Sequence, residues 1–152
     1  MTVLLRQILP LASALTLSLS ANVFAQEIFA TGGVAINGYD PVAYFTDHKP
    51  VKGSEKYTAS YQGATFRFAS AAHRNMSTAD PAHFVPQYGG YCAFGTAQGH
   101  KATTEPQAFT VVGNKLYLNY NDSVLKTWRQ DVSGNIAKAN ANWETVRAQA
   151  AP

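Results

Sequence analysis

The chain is short of three things, and each shortage excludes something. It has one cysteine in 152 residues, Cys92, so no internal disulfide can form and its stability has to come from packing. Charged residues make up only 14% of it, with 12 Lys and Arg against 9 Asp and Glu, scattered rather than clustered. That balance implies neither a nucleic-acid surface nor an acidic partner. After the first 25 residues no apolar run approaches the ~20 residues that cross a bilayer. Catalytic and binding signatures are also lacking: there is no Gly-x-Ser-x-Gly, phosphate loop, dinucleotide fingerprint, His-Glu-x-x-His or Cys-x-x-Cys.

What is present begins with an export signal. Arg6 precedes an apolar stretch from Ile8 to Leu19, about twelve residues, which is too short for a membrane span. It ends in Val23-Phe24-Ala25, with small residues where a signal peptidase reads. Residues 1–25 are therefore expected to be a cleaved secretory signal, with Gln26 as the mature start and a periplasmic or secreted product that has no membrane span. No cysteine stands near the site to take a lipid, and Arg6 is alone where a twin-arginine signal has a pair.

Residues 26–152 have the size of one domain. Val34 and Ile36 alternate as a brief strand, and Asp40-Pro41 reads as cap and first residue of a short helix over 42–45. Tyr57, Ala59 and Tyr61 turn at Gln62-Gly63 into Ala64, Phe66 and Phe68, a hairpin with one aromatic face. Ser70 caps a helix over 71–76, and Asp80-Pro81 starts a shorter one over 82–84. The stretch 86–99, rich in glycine, is expected to be a loop.

A second hairpin, 109–112 and 115–120, turns at Gly113-Asn114, with Leu116, Leu118 and Tyr120 facing one way. One of Asn121, Asp122 and Ser123 caps a helix that faces inward with Val124, Leu125 and Trp128; Ser133-Gly134-Asn135 then breaks the chain before a last helix carrying Ile136, Ala139, Trp143 and Val146. The tail after Ala148 is expected to fray. The sum is an α+β domain: a small antiparallel sheet of two hairpins, short helices and two C-terminal helices.

Cys92 is the first chemical candidate, flanked by Gly90, Tyr91 and Ala93. It reads three ways: as a buried apolar side chain, as a metal or ligand contact, or as a redox or covalent thiol. The histidines His48, His73, His83 and His100 have no local ligand spacing; His73 is the best placed, on the helix after the first hairpin. Asp40 can bind a cation or cap its helix. Tyr39, Tyr44, Tyr88 and Tyr91 can line a pocket for a polar ligand or serve as core aromatics.

The blocks Asn37-Gly38-Tyr39-Asp40-Pro41-Val42-Ala43-Tyr44-Phe45, 61–70, Asp80-Pro81 and Pro86-Gln87-Tyr88-Gly89-Gly90-Tyr91-Cys92-Ala93 resemble the exported branch of YHS-domain proteins. So do 115–120, Trp128 and 134–143, and together they span nearly the whole of 26–152. The resemblance implies the fold and, since YHS modules occur in copper-transporting ATPases, a link to metals. The thiolates of that wider family fall at Ala43, Ala69 and His73 in this chain. The expectation is a non-enzymatic periplasmic binding module taking copper or zinc through Cys92, with His73 and Asp40 as further ligands. The alternatives are a thiol-dependent enzyme using Cys92 with a histidine, and a small-molecule or protein-interaction domain with an aromatic pocket of Tyr39, Tyr88 and Tyr91.

Overall fold

A computed structural model of the protein describes residues 27–152. The expected signal segment and its cleavage point lie outside the described residues. Two short antiparallel strands come first, β1 (Ala30–Thr31) and β2 (Val34–Ala35). Ile36 does not extend β2: it takes φ 51° and starts a tight turn, Ile36–Gly38, that buries its side chain. Pro41 follows Asp40 into a short helix, α1 (Ala43–Thr46).

The first hairpin forms as its alternation requires. β3 (Ser54–Tyr61) pairs with β4 (Ala64–Phe68), Ala59 opposite Phe66 and Tyr61 opposite Ala64. Gln62 and Gly63 both have positive φ, 47° and 81°, as a primed two-residue turn demands. β2 joins β4 in parallel, so the sheet order is β1-β2-β4-β3. Ser70 accepts a hydrogen bond from His73 N–H and caps α2 (Ala71–Ala79). α3 (Pro81–Phe84) starts at its proline, but Asp80 makes no side-chain cap there.

The glycine-rich stretch 86–99 is more ordered than its composition suggests. A tight turn, Gln87–Gly90, leads into α4 (Ala93–Ala97), which Cys92 caps through its sulfur. Gly95 lies inside α4 with His100 close over it, so a Cβ there would be crowded, 3.1 Å from the His100 carbonyl oxygen. The second hairpin, β5 (Glu105–Val112) and β6 (Lys115–Asn119), turns at Gly113-Asn114, with φ of 58° and 59°. Its strands pair only with each other, so the two hairpins belong to separate sheets.

β6 is buried on both faces, and this organises the molecule. Leu116 and Leu118 join Phe66, Phe68, Val42 and Tyr44 in one core, while Tyr117 joins Ala93, Leu125, Trp128 and Ala139 in a second. Tyr120, expected beside the leucines, lies past the end of β6 and is 49% exposed. Asn121 caps α5 (Asp122–Arg129), and Leu125 and Trp128 face the second core as expected. Asp131 caps α6 (Val132–Arg147), so Ser133-Gly134-Asn135 is its first turn and not a break. Gly134 is needed there because a Cβ would overlap the Asp131 carboxylate that accepts its N–H. Within the tail expected to fray, Gln149 is held, donating to the Gly99 carbonyl at 2.8 Å, while residues 150–152 are exposed and irregular.

Candidate functional site

Two of the expected site residues meet. Asp40 is fully buried, and its carboxylate is filled with donors: Val42 N–H at 2.8 Å and Ala43 N–H at 3.4 Å on Oδ1, Ala69 N–H at 2.8 Å on Oδ2. His73 Nδ1 completes it, 2.6 Å from Oδ2. A carboxylate only accepts, so Nδ1 carries the proton that faces Asp40, while Nε2 lies 3.4 Å from Thr46 Oγ. The dyad ties the start of α1, the end of β4 and α2 together. Asp40 therefore caps its helix as the Asp-Pro pair implied, and does long-range work besides.

Cys92 is not with them. Cys92 is 1% exposed and forms part of the floor of an open cleft of about 380 Å³ lined also by Phe94, Gly95, His100, Ala102, Tyr120 and Val124. Among the described residues no three His, Cys, Asp or Glu side chains are grouped to hold a metal ion, so Cys92, His73 and Asp40 do not form one ligand set. The histidine that shares the cleft with the thiol is His100. Gly95 stands between the two: its N–H donates to Sγ at 3.4 Å, and a Cβ on it would be 3.4 Å from His100 Nε2.

Behind the sulfur stands Asn119, fully buried. Its Oδ1 accepts Phe94 N–H at 3.0 Å and the thiol proton at 3.6 Å, while its Nδ2 makes no hydrogen bond among the described residues. Burial pushes the Cys92 thiol up, and the backbone N–H groups of Gly95, Tyr120 and Phe94 pull it partly back. The neutral thiol is the resting form near pH 7, and a neutral thiol is a poor nucleophile. Sequence reasoning named His100 among the four histidines but placed His73 ahead of it, and missed Gly95 and Asn119. His100 follows Cys92 by a turn and a helix that carry no ligand spacing, and Asn119 is placed by β6, so only the glycine near the thiol was a signal.

The three tyrosines do not build a shared pocket. Tyr39 accepts a hydrogen bond from Gln107 Nε2 at 3.1 Å beside the first core. Tyr88 belongs to the second core, donates to Asn140 Oδ1 at 2.8 Å, and packs on Tyr117 and Trp143. Tyr91 donates to Glu27 Oε1 at 2.9 Å, under the Lys101 ammonium. Each ring has its own structural partners.

These buried groups set a pH response. Desolvation raises the phenols of Tyr44, Tyr88, Tyr91 and Tyr117 as well as the Cys92 thiol. A raised value means that the folded state keeps its proton after the unfolded chain has lost it. The stabilisation is therefore complete below the unfolded thiol's value, about 8.5, and is lost as pH climbs through the folded values. Urea midpoints should hold steady from about pH 6 to 8 and fall steadily above about pH 9. A flat profile to pH 11 would contradict the burial of these groups.

Compared with known proteins, the chain matches no family model, no curated protein and no solved structure. No described helix is long and apolar enough to cross a membrane.

Proposed function

We propose that this chain is a non-enzymatic, exported ligand-binding module of the YHS type, working in the periplasm, and that its ligand is a soft metal ion, copper(I) before zinc. The observation that carries the proposal is the pairing of one thiol and one imidazole, Cys92 and His100, on the walls of a single open cleft. Thiolate and imidazole together favour copper and zinc over hard cations. Two protein ligands suit copper(I), which accepts low coordination, and leave positions open for a transfer partner.

Binding requires the thiol to give up its proton, so uptake releases a proton and strengthens as pH rises. Backbone N–H groups already directed at the sulfur ease that loss. His73 has no part in this site, since its Nδ1 is committed to Asp40.

Competition titration of residues 26–152 with copper(I) against a chromogenic chelator tests the proposal. One equivalent should bind; Cys92→Ala should abolish binding, His100→Ala should weaken it at least tenfold, and His73→Ala should leave it unchanged. Equal uptake by Cys92→Ala and wild type sinks it.

A further inference from the structure

The wall of the Cys92 cleft that carries His100 and Ala102 is held from behind by both ends of the described chain. Gln149, just past α6, donates Nε2–H to the Gly99 carbonyl at 2.8 Å and accepts Lys101 N–H at 3.2 Å. Its own carbonyl accepts from Lys101 Nζ at 2.7 Å. From the other end, Glu27 pairs with the same ammonium through Oε2 and accepts the Tyr91 hydroxyl through Oε1. The Lys101 side chain is 2% exposed, with Nζ 4.8 Å from the centre of the Tyr91 ring.

Lys101 thus sits between two cleft-wall residues and holds both Glu27 and Gln149. The wall in turn touches the thiol's own backbone, because Cys92 N–H donates to the Ala102 carbonyl at 3.0 Å. The N-terminal segment lies flat on the turn that leads into Cys92: Phe29 N–H donates to the Gly89 carbonyl at 2.8 Å, and a Cβ on Gly89 would overlap the Glu27 carbonyl. The wall's own backbone bonds are short-range ones back to α4, such as Gly99 N–H to the Thr96 carbonyl at 3.0 Å and His100 N–H to the Gly95 carbonyl at 2.9 Å, and the side chains of Gln98 and His100 are exposed. A segment with few buried contacts is where a fold opens locally, and a buried ammonium stays put only while its partners do.

We propose that Lys101 is a clasp, through which Glu27 and Gln149 hold the cleft wall against the Cys92 turn, keep Cys92 at 1% exposure and so regulate ligand access to its sulfur. Lys101, Glu27 and Gln149 are positioning residues; none lines the cleft. The inference rests on the proposed function only in taking this cleft as the ligand site, and it requires no metal.

The test is the alkylation rate of Cys92 by iodoacetamide, a small neutral probe, in native buffer. Wild type should react slowly. Gln149→Ala removes two hydrogen bonds and Glu27→Gln removes the counter-charge, and each should speed alkylation about tenfold. Asp131→Ala, which loses the α6 cap far from the clasp, should lower thermal stability and leave the rate at the wild-type value. Wild-type rates in both clasp variants overturn the proposal. Equal acceleration in Asp131→Ala, or acceleration that grows with low urea as steeply as global unfolding, overturns it too. Because iodoacetamide reports on the wall and not on a metal, failure of copper binding leaves this result standing, and the reverse also holds.

Discussion

Asp40→Ala is expected to lose about 4 kcal/mol of folding stability, a large part of the 5–15 kcal/mol that a domain of this kind holds. The carboxylate is fully buried and hydrogen-bonded by four donors from three parts of the chain. Truncation strands three backbone N–H groups, from Val42, Ala43 and Ala69, together with the His73 ring. Asp40→Asn is the more telling variant because it keeps the shape. Both carboxylate oxygens receive donors, so an amide turned either way aims its own N–H groups at another N–H. His73 can relieve part of that by moving its proton to Nε2, which leaves Ala69 N–H as the unmatched donor. A loss of about 2 kcal/mol is expected for the amide and about 1 for His73→Ala, whose ring is partly exposed. Urea denaturation at pH 7 measures all three; an Asp40→Asn protein as stable as wild type would remove the carboxylate from this role.

Trp128→Ala should cost a similar amount, about 3–5 kcal/mol, through the cavity it leaves in the second core. Trp128 has no exposed surface and packs on Tyr117 with ring centres 5.6 Å apart. Trp128→Phe should cost much less. The indole Nε1 is buried without a hydrogen-bond partner among the described residues, so its removal returns roughly 1–3 kcal/mol of desolvation against the lost ring volume. The second core also seats α4 through Ala93 and Ala97. Trp128→Ala should therefore loosen the Cys92 cap and raise thiol reactivity, whereas Trp128→Phe should not. Denaturation midpoints and alkylation rates on the same samples check both statements; equal stability losses for the two substitutions would contradict them.

Local rules gave most of the elements. Period-two alternation with Gln62-Gly63 and Gly113-Asn114 defined both hairpins, because a primed turn needs positive φ at adjacent residues and these sequences supply it. Ser70, Asn121 and the Asp40-Pro41 pair marked helix starts by the same kind of local hydrogen bond. The misreadings came where glycine was taken as a breaker. Inside α6 the Asp131 carboxylate occupies the space of a Cβ on Gly134, and inside α4 a Cβ on Gly95 would be crowded by the His100 carbonyl at 3.1 Å. That is a fact about neighbours, which composition does not carry.

By itself, then, the sequence determined an α+β domain of two hairpins and short helices, stabilised without disulfides, with Cys92 as the residue to explain. Only the tertiary structure decided what stands beside that thiol. It separated Cys92 from Asp40 and His73, brought His100 and Asn119 to it, and gave Tyr39, Tyr88 and Tyr91 three different sets of partners. The reason is range. A cap or a turn is settled within four residues, whereas a site is settled by which distant segments the cores bring together. β6, buried on both faces, makes that choice here by carrying Asn119 to the sulfur, and Lys101 makes it by gathering Glu27 and Gln149 behind the wall.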